Sequence, residues 1–211
     1  MSDERPAGFA TRAIHAGEAL DPATGAHATP IYQTATFGFG SAAEKDAVVE
    51  AGMAWEPGAF FYSRTGNPTT AALERKLADL EGAEDAVVGA SGMAALSTTL
   101  LSLLRAGDHL VAPADVFVIT RFLVEQDLPR RGVSVTTVDT SDTDAVRAAM
   151  RAETRVLLTE SVSNPHMLVS DVPALAELAA ERGATLVVDN TFLTPYVLRP
   201  LEHGADLVVH S

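Results

Sequence analysis

Two sites far apart in this chain carry groups suited to opposite ends of one small ligand. Asp189 closes the apolar run Ala184-Thr185-Leu186-Val187-Val188, and Ser91-Gly92-Met93 stands where another apolar run turns into a helical pattern. A helix start offers unpaired N–H groups and the positive end of its dipole, which together favour a phosphate. A carboxylate at a buried strand end is costly unless it meets a cation or a donor, and a protonated ring nitrogen is such a partner. Each residue also has a plain structural reading. Ser91 can cap an ordinary strand-to-helix turn, and Thr191 or a nearby backbone N–H can satisfy Asp189.

Two further segments bear groups of the same kind. In Tyr62-Ser63-Arg64-Thr65-Gly66-Asn67-Pro68, Arg64 can grip a phosphate with paired donors and Tyr62 adds a hydroxyl. On residue type alone this is equally a surface turn with a solvated arginine. In Glu160-Ser161-Val162-Ser163-Asn164-Pro165, the Asn164 amide can donate to a ligand oxygen, or is simply a loop asparagine before a proline. The histidines (His15, His27, His109, His166, His203 and His210) lack metal-ligand spacing, so no metal site is expected and they read as structural or solvated. Neither a phosphate-binding G-x-x-x-x-G-K-[ST] nor a G-x-G-x-x-G after a strand occurs, which weakens nucleotide readings.

The elements that must position these residues follow from periodicity and caps. Ser41 caps a short helix to about residue 51, and Asn67-Pro68 opens a helix with Leu73, Leu77 and Leu80 on one face. Ala86-Val87-Val88-Gly89 is expected to be a short strand. Met93, Leu96 and Leu100 mark the next helix. Strands are then expected at 109–112, 133–138, 155–159, 186–188 and 207–209. Helices are expected near 117–130, 142–150 and after Asp171, the last stopped by Gly183. Strands that alternate with helices and are apolar on both faces imply a mostly parallel sheet covered by helices, with ligands beyond the carboxyl ends of the strands. Residues 1–60 differ. They hold turns and Thr29-Pro30-Ile31-Tyr32 in an extended stretch, and read as an arm preceding a domain over 61–211.

Composition sets outer bounds. The chain has 211 residues, 47% hydrophobic and 20% charged, enough for a real core. A formal net charge of -13 disfavours nucleic acid and anionic membranes as partners. The absence of cysteine removes disulfides and thiolate chemistry. The start Met1-Ser2-Asp3-Glu4-Arg5 is polar and no apolar stretch is long enough to span a bilayer, so a cytoplasmic location is expected.

Taken in order, Tyr62 to Thr69, Ala90 to Ala95, Glu160 to Pro165, Val187 to Phe192 and Gly204 to Ser211 closely resemble the Cys/Met-metabolism family of pyridoxal phosphate (PLP) enzymes. Arg12 to Gly17 and Thr29 to Gln33 resemble that family's N-terminal arm. The resemblance implies the type I PLP-transferase fold and PLP as cofactor. It implies that Ser91, Gly92, Met93 and Ser211 surround the cofactor phosphate, that Asp189 pairs with the pyridine nitrogen, and that Asn164 bonds the ring's phenolic oxygen. Tyr62 and Arg64 would reach the phosphate of a neighbouring subunit, on which the arm would pack. A homodimer would then be the minimal unit, with a homotetramer usual, and an amino acid would be the substrate.

The chain departs from the family pattern in two ways. The family's Schiff-base lysine follows shortly after the position of Ser211, and Lys45 and Lys76 stand in the wrong context. A fragment lacking the rest of the large domain and the C-terminal domain is therefore expected. The family also usually carries Tyr-Gly-Gly-Thr where this chain has Phe117-Val118-Ile119-Thr120. Phe117 can stack on a ring but has no proton to give. The implied activity is γ-elimination or γ-replacement, as in a C–S lyase or an O-acyl homoserine sulfhydrylase or synthase. A non-catalytic PLP-binding fragment is the second reading, and a nucleotide-binding α/β protein the third.

Overall fold

The computed structural model describes residues 7–211, so the polar stretch read at residues 1–5 lies outside the described residues. The chain divides into two compact units, one up to Val88 and one from Gly89 to Ser211. The first unit holds α1 (Phe9–His15), α2 (Ala42–Met53) and α3 (Pro68–Glu81). Ser41 caps α2 as expected, its Oγ accepting from Glu44 N at 3.1 Å. Asn67 caps α3 through Oδ1, with Thr69 N at 2.8 Å, and Gly82 ends it in the left-handed region at φ 72. α1 was not legible in sequence, because it buries no residue and its N-cap Gly8 has no side chain to bond. It is held from outside: Arg12 Nε donates to Asp79 Oδ2 at 2.8 Å, and Lys76 Nζ to Ile14 O at 3.1 Å.

Glu18 fastens the extended stretch that follows α1. Its carboxylate accepts from Thr29 Oγ1 at 2.6 Å and Thr29 N at 3.0 Å, and pairs with Lys76 Nζ at 3.0 Å. The Thr29 hydroxyl, then Lys76, lower its pKa from 4.5 to about 2. A depressed carboxyl contributes stability above its unfolded pKa and loses it as pH falls through the folded one. Wild type is therefore expected to resist urea better than Glu18→Gln at neutral pH, with the gap closing between pH 4.5 and about 2. A gap unchanged by acid would show that the charge contributes nothing.

The second unit begins with α4 (Gly92–Leu103), then β1 (His109–Pro113) and α5 (Val118–Phe122). α5 runs through a π-turn (Leu123–Asp127) into α6 (Leu128–Arg130), so the expected helix over 117–130 contains a widened turn. Pro129 explains it. A proline has no N–H for the carbonyl four residues back and its ring crowds that carbonyl, and here Leu128 N reaches back five residues to Leu123 O. β2 (Ser134–Val138), α7 (Thr143–Ala149), β3 (Thr154–Glu160), α8 (Val172–Arg182), β4 (Thr185–Asp189), α9 (Thr194–Val197) and β5 (Leu207–Val209) follow. Asp142 caps α7 and Asp171 caps α8, and Gly183 closes α8 at φ 64.

The five strands form one parallel sheet in the order β2-β1-β3-β4-β5. Strand period two divides the core. Leu110, Ala112, Val156, Leu158, Val187 and Val209 face Leu96, Leu100, Val124 and Leu128 of the helices on one side. Val111, Leu157, Leu186 and Val188 face Val146 of α7 and Leu175 and Leu178 of α8 on the other. Both faces are thus covered, as the apolar runs required. His109 is buried within the sheet, with Nδ1 at 2.8 Å from Thr154 Oγ1 and Nε2 at 2.9 Å from Thr136 Oγ1. Burial, reinforced by Arg151 and opposed by Glu153, lowers its pKa, and its ring links β1 to both neighbouring strands.

One expected strand is absent. Residues 86–89 join no ladder among the described residues, and Val88 N instead donates to Glu74 Oε1 at 3.0 Å. An apolar run becomes a strand only where a partner meets its backbone, and local pattern carries no information about that. No helix among the described residues is long and apolar enough to cross a membrane.

Candidate cofactor site

Parallel strands all end on one rim, and the order reverses between β1 and β3, so a crevice opens beyond their carboxyl ends. A pocket of about 210 Å³ lies there, lined by Gly92, Met93, Phe117, Asn164, Asp189 and Ser211 among others. Six residues singled out from sequence thus converge from α4, the loop before α5, the loop after β3, the end of β4 and the segment after β5.

Ser91 does not line the pocket. It is the α4 N-cap, and its Oγ accepts from Ala94 N at 3.0 Å while its carbonyl accepts from Ala95 N at 2.9 Å. The plain capping reading therefore describes its side chain. Capping spends the hydroxyl on the helix but leaves the first-turn N–H groups of Gly92 and Met93 without an acceptor in the helix. Gly92 has no Cβ because there is no room for one. An added Cβ would lie 2.4 Å from both Cβ and Oγ of Ser211. The helix start and the Ser211 hydroxyl thus form one continuous cradle of donors.

At the other end, Asp189 Oδ1 accepts from Thr191 N at 3.0 Å and from Thr191 Oγ1 at 2.5 Å. Among the described residues no donor reaches Oδ2, so one oxygen of this pocket-lining carboxylate is held and the other is not. Thr191 Oγ1 also accepts from Ser211 N at 3.1 Å. Thr191, read from sequence only as a possible satisfier of Asp189, therefore ties the two ends of the site together. This set fits a ligand with an anionic group at the cradle and a cationic ring nitrogen at Asp189.

Phe117 lines the pocket and its N–H donates to Glu160 Oε1 at 3.0 Å, while Asn164 N donates to Glu160 Oε2 at 3.1 Å. Glu160 also lines the pocket, yet the sequence reading assigned it no role. No local pattern marks it: the pairing of β3 with β4 sets it beside Asp189, its register partner. Burial raises its pKa, and the negative charges of Asp189 and Asp115 act in the same direction against the two backbone N–H groups.

Tyr62 and Arg64 lie in the first unit, outside this set of lining residues. The Arg64 guanidinium carbon sits 4.5 Å from the centre of the Tyr62 ring, and no carboxylate among the described residues pairs with it. Asn67 holds this turn by donating to Tyr32 O and Ser63 Oγ, each at 2.9 Å. Lys76 is engaged with Glu18, and Lys45 is near Asp46 on α2.

Comparison with known proteins identifies the family and the fold. L-methionine gamma-lyase of Fusobacterium nucleatum subsp. polymorphum is 48% identical over 208 residues, covering 97% of this chain and 51% of that protein. Cystathionine gamma-synthase of Mycobacterium tuberculosis is 43% identical over 216 residues, covering 100% of this chain and 53% of that protein. The crystal structure of metB from Corynebacterium glutamicum superposes with a TM-score of 0.88 at 38% identity, covering 98% of this chain and 51% of that one. The chain thus spans about half the length of the curated relatives it matches. Its parallel sheet with flanking helices is that of type I PLP enzymes. Residues 10–211 match the Cys/Met metabolism PLP-dependent enzyme family, and the chain belongs to that family.

Proposed function

We propose that the complete gene product is a PLP-dependent enzyme of sulfur amino acid metabolism that eliminates or replaces the γ-substituent of its amino-acid substrate. The observation that carries this reading is the single pocket in which the Gly92–Ser211 cradle and the Asp189 carboxylate face one ligand space. The Gly92 and Met93 N–H groups and the Ser211 hydroxyl bind the phosphate. Asp189 holds the proton on the ring nitrogen, Phe117 covers a ring face, and Asn164 donates to the ring oxygen. When bound, the cofactor supplies an electron sink for negative charge at the substrate Cα. Self-association follows from the same reading. The segment 1–60 packs on a neighbouring subunit, whose phosphate Tyr62 and Arg64 reach, in a cytoplasmic homodimer or homotetramer.

The test is the intact mass and visible absorbance of the purified complete gene product before and after borohydride. A phosphopyridoxyl adduct retained on reduction is expected. Retention of a nucleotide with no response to PLP would overturn the proposal.

Phe117 sets a preference among substrates. A thiolate leaving group gains from general acid help, often about 10²-fold or more, whereas an acyl ester needs it less. Phenylalanine has no such proton, so the enzyme should favour activated γ-substituents. Phe117→Tyr is expected to raise kcat for a thioether substrate selectively over an O-acyl homoserine. Equal effects on both would refute the assignment.

A further inference from the structure

We propose that Glu160 is a positioning residue of the pocket, whose carboxylate fixes the Phe117 and Asn164 backbones and thereby the contacts to one face and one edge of the bound ring. This inference rests on the cofactor reading above. Glu160 is buried at the end of β3, where pairing with β4 makes the backbone rigid. Its two oxygens accept from Phe117 N at 3.0 Å and from Asn164 N at 3.1 Å. Phe117 is the N-cap of α5: its carbonyl accepts from Arg121 N at 3.0 Å inside the helix, while its N–H is held from outside by Glu160. Asn164 starts the turn after β3, and its N–H is held by the other oxygen.

The charge environment argues against a stability role alone. Among the described residues no cation pairs with Glu160. It faces Asp189 on β4 and Asp115 in the loop after β1, and His166 pairs with Asp115 at 2.8 Å. A buried carboxylate beside two like charges is a poor source of stability. What it does provide is two acceptors on one rigid group, at the spacing needed to hold two loops. An amide cannot replace it, since its NH2 would face an N–H donor at one of the two positions. Aspartate keeps both acceptors but is a methylene shorter.

The test uses the complete gene product as wild type, Glu160→Gln and Glu160→Asp. Amide hydrogen exchange is read at Phe117 and Asn164 without cofactor, and visible circular dichroism and steady-state kinetics are read with PLP. In Glu160→Gln, at least one of the two amides is expected to exchange about tenfold faster, the equivalent of one lost hydrogen bond. Visible dichroism should weaken, and kcat should fall roughly 10- to 100-fold with little change in KM, because a misplaced ring costs rate rather than substrate affinity. Glu160→Asp should fall between the two, and carries the test if the glutamine protein does not fold. Unchanged exchange in both variants overturns the proposal. So does faster exchange with unchanged dichroism and kcat, which would leave Glu160 a purely structural clamp. If wild type binds no PLP, the functional reading fails and the ring-positioning role fails with it. The exchange data then report the clamp separately.

Discussion

Gly92→Ala is expected to weaken PLP binding by the complete gene product by about 10²-fold, through steric displacement at the cradle. The new Cβ would stand 2.4 Å from Ser211 Cβ and Oγ and 2.9 Å from Ser211 Cα. No rotamer relieves a clash that includes backbone. Ser211 cannot move away freely either, because β5 is paired with β4 and Ser211 N is bonded to Thr191 Oγ1 at 3.1 Å. The helix start and the end of the sheet must therefore separate, parting the two sets of donors. Each charge-assisted hydrogen bond to the phosphate contributes about 1.5–3 kcal/mol, so losing one or two gives the stated weakening. Overpacking should also cost about 1–3 kcal/mol of stability. Titrating apoprotein with PLP measures the first effect and urea denaturation the second. Wild-type affinity in the Gly92→Ala protein would mean that the phosphate binds elsewhere.

Asp189→Asn should lower kcat/KM about 10³-fold while leaving the fold intact. Asparagine is isosteric, and its carbonyl oxygen can take both bonds now made by Thr191 N and Oγ1 to Asp189 Oδ1. The change falls on Oδ2, where an NH2 would replace a negative oxygen. Removing one partner of a partly buried ion pair costs about 3–5 kcal/mol, and here it is the protonated state of the ring that loses its support. Without that proton the ring draws electrons from the substrate poorly, so rate suffers more than cofactor affinity. Comparing kcat/KM with the PLP dissociation constant separates the two effects. Activity within tenfold of wild type would remove Asp189 from the proposed role. Asp189→Glu should recover part of the loss if charge is what matters.

Local chemistry made most of the fold legible from sequence. Ser41, Asn67, Ser91, Asp142 and Asp171 cap helices because a short polar side chain before a helical pattern satisfies the first-turn N–H groups. The runs expected as strands at 109–112, 133–138, 155–159, 186–188 and 207–209 coincide with β1 to β5 to within two residues at either end. Features that depend on partners were not legible. α1 buries none of its own residues and is held by Asp79 and Lys76, more than sixty residues away. Residues 86–89 have a strand's composition but meet no partner strand among the described residues.

The same divide runs through the site. By itself the sequence determined which residues have the right chemistry, because helix starts, strand ends and side-chain charge are local properties. Only the tertiary structure decided that Gly92 meets Ser211, that Thr191 joins Ser211 to Asp189, and that Glu160 holds Phe117 and Asn164. Those relations come from parallel pairing, which stacks β3, β4 and β5 so that all their carboxyl ends open on one rim. Pairing is a long-range choice, and no window of residues encodes where two distant strand ends will meet.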